Sequence, residues 1–374
     1  AELYKNAIDL NRFSNSVARR IARTYNDLIV DVVKRLAASG VDTTPTQAAR
    51  LGAILAQLKT SLEGWAESST ALAVGELQGL VELQVDFVTK ILNGELPEDL
   101  LLQVKSVQIS PQFAQAVATI DPTTYNIVTL SDDLGAVVTG TPRPFELEIG
   151  DGTTITLPNG ATLQSSFKRL AGQQAEVFTK EVQNGLILGE GSDKIARRLR
   201  GQLITVPNNQ IRTMVRTSVN QVANAASQAV YSQNQEITKR YRYIATLDSR
   251  TSAICRALDG RTFKYNEGPT PPQHFNCRST TVPIVDYRGL KIPPPKPGER
   301  RSSSGLVPDD QTYGQWLFDQ SKEVKADVLG ASKVPYFNML SRKHGPSVAI
   351  RKFVSADGTE KTLAELKRSY DRFM

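Results

Sequence analysis

"PPQHFNCRSTTVP", residues 271–283, holds one of the two histidines and one of the two cysteines in the chain. His274 and Cys277 stand three positions apart behind Pro271 and Pro272. The other cysteine, Cys255, lies 22 positions upstream in "LDSRTSAICRALDG" (247–260). The C-x18-H-x2-C spacing supplies three soft or borderline donors, and an H-x2-C arm across a turn suits tetrahedral zinc. A closed structural site takes four protein ligands. There is no third cysteine, and His344 is far off in the tail, so Asp248 or Asp259 would have to serve as the fourth. Three other readings compete. Cys255 and Cys277 suit small buried residues of a β-turn knuckle with His274 hydrogen-bonded beside them. They could form a disulfide, which a reducing compartment disfavours. Cys277 and His274 could be a nucleophile and its base, but such pairs converge from separate elements and no oxyanion-type glycine loop accompanies them. The packed knuckle is the reading adopted, with zinc as its first alternative and no other cofactor expected.

Asp248, Arg250, Asp259, Gly260 and Arg278 share this short region. Guanidinium forks matched to carboxylates would lock the turn, so these five are read as the frame of the knuckle rather than as a hydrolytic pair of acids. Pro269, Pro271 and Pro272 impose an extended approach to it.

Outward from the knuckle, the chain divides into five stretches. Residues 1–105 form a helical N-terminal region. Leu10, Phe13, Val17, Ile21, Leu28, Val32 and Leu36 mark one helix, Leu51, Ile54, Leu58, Leu62 and Trp65 a second, and Leu77, Leu80, Val81, Val88 and Leu92 a third. Residues 106–163 alternate β-branched residues with turn dipeptides, and "IGDGTTITLPNGAT" (149–162) reads as a hairpin. Residues 164–288 return to helix. There "GSDKIARRLRG" (191–201) reads as a short helix stopped by Gly201, and a further helix begins after Pro207 with an apolar face and an uncharged Asn/Gln/Ser face. Three short strands follow, at "YRYIATL", after "DG", and at "STTVPIV". Residues 289–310 are a Pro/Ser-rich linker, and residues 311–374 a helical tail in which "TYGQWLFDQSKEVKADVLG" forms one helix. The fold class expected is α+β: mostly helical, with a β-rich insertion and a small β knuckle toward the C-terminal third.

The 374 residues carry a net charge of +7, and 40% are apolar, enough for a core and too many for a disordered chain. Glu2, Lys5, Arg12 and Arg19 interrupt any signal-peptide core, and no run of about 18 uncharged apolar residues signals a membrane span. Lys194, Arg197, Arg198, Arg200, Arg212 and Arg216 face a single acid, Asp193, between 191 and 216. They are the candidates for contact with DNA phosphates, which would be sequence-independent and salt-sensitive. Aromatics do not interleave with them, so stacking on single strands is not expected. No Walker lysine loop, dinucleotide-binding glycine motif or HExxH helix is present.

Taken together, "ATLDSRTSAICRALDG" (245–260), "GPTPPQHFNCRSTTVP" (268–283) and "YGQWLFDQSKEVKADVLG" (313–330) resemble the phage Mu protein F-like family of minor head proteins. "GSDKIARRLRG" and "VRTSVNQVANAASQAVY" (215–231) resemble the lead-in of the same family, and the resemblance runs over about 165–366. Some members of that family have further cysteines near Ser252 and Ser279, both serine here, which bears against a closed zinc site. The resemblance implies a non-enzymatic structural protein of the virion, assembled in the host cytoplasm, present in few copies at the portal vertex, and acting in head morphogenesis, DNA packaging or genome delivery. Its implied partners are the portal protein, other capsid proteins and double-stranded DNA bound without sequence preference, with no membrane and no small-molecule substrate. The long N-terminal helices would then be the docking surface. A DNA-binding protein ejected with the genome is the alternative, and a zinc-dependent enzyme on the same scaffold a third.

Overall fold

A computed structural model describes residues 2–39, 45–94, 128–131, 135–138, 162–188, 190–265, 267–355 and 358–370. The scaffold is a bundle of four long helices: α1 (Glu2–Ala38), α2 (Pro45–Gly94), α3 (Leu163–Ile187) and α4 (Ser192–Gln233). Contacts along the helices fix their directions. Asn6 Nδ2 donates to Gln84 Oε1 and Trp65 Nε1 to Ile21 O, so α1 and α2 run antiparallel. Arg216 donates to Asn15 and Ser192 Oγ to Ala37 O, so α4 runs antiparallel to α1. Arg198 pairs with Glu181, and α3 and α4 are antiparallel in turn. One core runs through all four helices, with Tyr25, Trp65 and Phe167 stacked edge to face at its centre, at 5.1 and 5.7 Å between ring centroids. The helices of the N-terminal region therefore share their core with α3 and α4.

Two expected helix breaks are absent. The second and third stripes of the N-terminal region belong to the single helix α2, because Trp65, Ala66, Ser69, Ala73 and Leu77 are all buried and carry the 3–4 spacing through "ESST". Likewise α4 runs unbroken through Gly201 and Pro207. Leu199, Leu203, Pro207, Ile211 and Val215 keep one buried stripe, and packing against the bundle outweighs the roughly 3 kcal/mol that an interior proline costs. Of the 106–163 insertion, only the antiparallel pair β1 (Val128–Ser131) and β2 (Gly135–Val138) is described, and the "IGDGTTITLPNGAT" hairpin lies outside the described residues.

The C-terminal half of α4 is buried on every side from Gln221 to Tyr231 because a second layer covers it. That layer is the sheet β4-β3-β5, formed by β3 (Thr238–Ile244), β4 (Thr262–Lys264) and β5 (Thr280–Val285), all antiparallel with β3 central. The six-residue helix α5 (Ala253–Leu258) lies between β3 and β4. The uncharged face of α4 meets this layer: Asn220 Nδ2 donates to Ser279 O, Gln228 Nε2 to Thr281 Oγ1, and Tyr231 Oη to Thr281 O.

Residues 289–310, expected as a linker, contain a hairpin of β6 (Glu299–Ser302) and β7 (Gly305–Pro308). The expected single tail helix is two, α6 (Tyr313–Asp319) and α7 (Lys322–Leu329). Gln320 is extended, and Ser321 starts the second helix by accepting from Val324 N. Three further helices follow: α8 (Val334–His344), α9 (Pro346–Arg351) and α10 (Leu363–Tyr370). Trp316, Phe337, Phe353 and Leu366 form the separate core of this tail lobe.

Candidate functional site

The knuckle between β3 and β5 gathers the three sequence-predicted donors. Cys255 sits in the first turn of α5, with its sulfur facing the sheet at 3.3 Å from Tyr243 Oη of β3. His274 and Cys277 come from the 267–279 segment, where Asn276 adopts φ 57° and Cys277 N donates to His274 O at 3.2 Å. Asparagine tolerates the left-handed region better than most residues, so "HFNC" closes as a tight turn and both side chains point to the same side. Cys255 Sγ lies 3.3 Å from His274 Nε2 and 3.7 Å from Cys277 Sγ, and the three donor atoms are all within 4.8 Å of one another. His274 Nδ1 lies 2.8 Å from Phe275 O. A proton on Nδ1, donated to that carbonyl, leaves the Nε2 lone pair facing the sulfurs.

Both thiols are free and buried, Cys255 at 1% exposure and Cys277 at 4%. Burial and the neighbouring Cys277 push the Cys255 thiol well above the ordinary range, and the Cys255 hydrogen bond, with His274 behind it, holds Cys277 well below it. Burial draws the His274 imidazolium down, but contact with Cys277 outweighs that and leaves the ring raised. Sulfurs this enclosed have no approach for a substrate carbonyl, which argues against the nucleophile reading.

Neither acid proposed as a fourth ligand joins the cluster. Asp248 Oδ1 and Oδ2 take the Arg278 fork at 2.8 and 2.5 Å, and Oδ1 also accepts from Arg250 N and Thr251 Oγ1. Burial raises this carboxyl, but Arg278, Thr251 and the Arg250 amide together hold it below its usual value. Asp259 is fully buried and accepts four bonds: Ala245 N (2.6 Å) and Arg300 Nη2 (3.1 Å) on Oδ1, Tyr313 N (2.6 Å) and Arg300 Nη1 (3.2 Å) on Oδ2. Both carboxylates are engaged by guanidinium forks, Asp248 by Arg278 and Asp259 by Arg300, and so neither offers a free oxygen to the thiols. Gly260 sits at φ +77°, with its N–H on Tyr243 O, and turns the chain from α5 into β4. Arg250 contributes its backbone N–H to Asp248, while its guanidinium lies 3.9 Å from that carboxylate and is mostly exposed.

Sequence reasoning missed Arg300, the buried partner of Asp259, because it sits in a stretch whose composition reads as linker. It also missed Tyr243 and the surroundings of Ser252. Ser252 Oγ stands beside the Cys255 sulfur, is buried, and completes no regular hydrogen bond.

The predicted basic cluster divides. Lys194 and Arg198 pair with Glu190, and Arg198 also with Glu181. Arg197 and Arg200 are exposed. Arg216 donates to Asn15, and burial with the charges of Arg212, Arg250 and Arg278 lowers its pKa, so those four arginines share one patch where α4 meets the knuckle. Beside that patch, exposed Phe275 edges a groove of about 320 Å³ lined by Leu170 and Met214.

Residues 176–282 match the family model described as phage Mu protein F like protein. The match spans the second half of α3, all of α4, and the knuckle as far as β5, and it leaves out α1, α2 and the tail lobe. The chain is also similar to the Mu-like prophage FluMu F protein of Haemophilus influenzae, at 29% identity over 152 residues. That alignment covers 38% of this chain and 36% of the relative's own length. No solved structure matches. Over residues 176–282, where α4 carries the thiol knuckle, this chain is similar to phage Mu protein F.

Proposed function

We propose that the chain is a structural protein of a phage head that acts in head morphogenesis and has no catalytic role. The observation that carries this is the coincidence of the family match with one continuous structural unit, α4 and the knuckle folded against it. The fully buried thiols add to it, since they suit a structural site better than a reactive one. Portal association belongs to the same proposal, with α1 and α2 as the docking helices. Among the described residues, no helix is long and apolar enough to cross a membrane. The test is localisation by cryo-electron microscopy of assembled particles, with and without the gene. Density for the four-helix bundle at the portal vertex is expected, and its absence from intact heads would remove the proposal.

A second reading, contact with packaged or ejected DNA, rests on the patch formed by Arg212, Arg216, Arg250 and Arg278, in which Asp248 pairs with two of the four arginines. Such a patch binds duplexes of unrelated sequence with affinity that falls steeply with salt. Arg212→Ala should weaken all sequences alike and reduce the salt slope by about one. Equal affinity of this variant and the parent at low salt would rule out this surface.

A further inference from the structure

We propose that Cys255, His274 and Cys277 bind one zinc ion through Sγ, Nε2 and Sγ, with an oxygen ligand completing the tetrahedron beside Ser252. The spacing of the donors carries the argument. A zinc about 2.3 Å from each sulfur and about 2.0–2.1 Å from nitrogen, at tetrahedral angles, requires edges of about 3.8 Å between the sulfurs and about 3.6 Å between sulfur and nitrogen. The two edges from Cys255 are 3.7 and 3.3 Å, and the third, between His274 and Cys277, is within 4.8 Å. A disulfide would place the sulfurs about 2.05 Å apart, so the two thiols are at the spacing of co-ligands and not of a closed bridge. The donor set is soft, which selects zinc over magnesium or calcium. His274 is oriented as a ligand imidazole usually is, with Nδ1 fixed on a backbone carbonyl and Nε2 toward the site.

The fourth vertex is where Ser252 matters. Its hydroxyl is buried next to Cys255 with no regular hydrogen bond, a costly arrangement for a polar atom in an enclosed place. Ser279, also buried, stands on the same sulfur. An oxygen ligand, either the Ser252 hydroxyl or a water held by it, satisfies that atom and closes the coordination. Because both thiols are enclosed, the ion serves as a tie between α5 and the 274–277 turn and is not a site for substrate.

The test uses the full chain, expressed with zinc and stripped of loosely held metal by gel filtration. Elemental analysis should give about one zinc per chain. Cobalt substitution should give sulfur-to-metal charge transfer and the visible bands of a tetrahedral site. Cys277→Ser and His274→Ala should lose the metal, and circular dichroism identifies any variant that fails through unfolding. Ser252→Cys supplies a fourth thiolate without removing a ligand, and should retain zinc against a chelator by a factor of roughly ten or more, since even outer-shell changes alter affinity that much. Less than about a tenth of a zinc per chain, no cobalt charge transfer, and no gain from Ser252→Cys would overturn the proposal. So would a purified chain whose mass shows Cys255 joined to Cys277.

Discussion

Replacing Asp259 tests whether the knuckle and the tail lobe are held as one piece. Its carboxylate is fully buried and accepts two bonds on each oxygen: Ala245 N and Arg300 Nη2 on one, Tyr313 N and Arg300 Nη1 on the other. Arg300 also donates to Ala245 O and Gln311 O. The cluster therefore joins β3, the C-terminal end of α5, β6 and the start of α6. Asp259→Ala leaves a buried guanidinium without its counter-charge and two amides unpaired, and breaking such a pair costs about 3–5 kcal/mol. Asp259→Asn should cost nearly as much. Whichever oxygen becomes NH2 faces two donors, and two hydrogen bonds to a charged group, each worth about 1.5–3 kcal/mol, are lost. Urea unfolding should show the midpoint fall for both variants, and amide exchange should speed up at Ala245 and Tyr313. The double variant Asp259→Ala/Arg300→Met should lose less than the sum of its parts, because removing both charges leaves neither stranded. A loss below about 1 kcal/mol for Asp259→Ala, with additive double-variant energies, would refute the reasoning.

Trp65→Ala removes the middle ring of the Tyr25–Trp65–Phe167 stack and the Nε1 bond to Ile21 O, and should cost about 3–5 kcal/mol in a denaturant titration. Gly260→Ala should cost about 1–2 kcal/mol, read from thermal unfolding, because a side chain at φ +77° is strained and its Cβ would lie 2.6 Å from Thr312 Cγ2. Asp248, whose folded pKa is depressed, contributes stability above the unfolded carboxylate value and loses it as pH falls through the folded value. The gap in melting temperature between the parent and Asp248→Asn should therefore be full at neutral pH and close below about pH 4. A gap that persists unchanged into strong acid would show that Asp248 acts through packing alone.

What could be read in the sequence was local in character. The stripes of α1, the three strands and the H-x2-C turn all follow from spacing within a few residues of one another. The errors came where distant packing decides. Gly201 and Pro207 are genuine breakers by local propensity, yet Leu199, Leu203, Ile211 and Val215 bury one stripe across them, and α4 stays whole. The second and third stripes of the N-terminal region read as separate helices until Ser69, between them, is found buried in the bundle. Lys194 and Arg198 looked unopposed because Glu190 falls one residue before the basic stretch, and Glu181 reaches it only when α3 folds back on α4. Arg300 was hidden by its neighbours: proline, serine and glycine around it signal a linker, while its own side chain is the buried counter-charge of a residue 41 positions away.

The same distinction bears on the thiols. The knuckle has three short strands and a six-residue helix, too little apolar area to hold itself together, so it depends on α4 beneath it and on polar ties across it. Two of those ties are complete within the protein: Asp248 with Arg278 and Asp259 with Arg300 each match a carboxylate to a guanidinium, with backbone donors filling the remaining lone pairs. The third tie is of another kind. Cys255, Cys277 and His274 Nε2 bring three electron-rich atoms together, and the hydroxyl beside them has no regular partner. Buried polar groups are paired almost without exception, and the zinc proposed above would stand to these donors, all within 4.8 Å of one another, as the two guanidinium groups stand to the two carboxylates. Local spacing identified the donors, and the finished pairing of both nearby acids sets them apart as a group of their own.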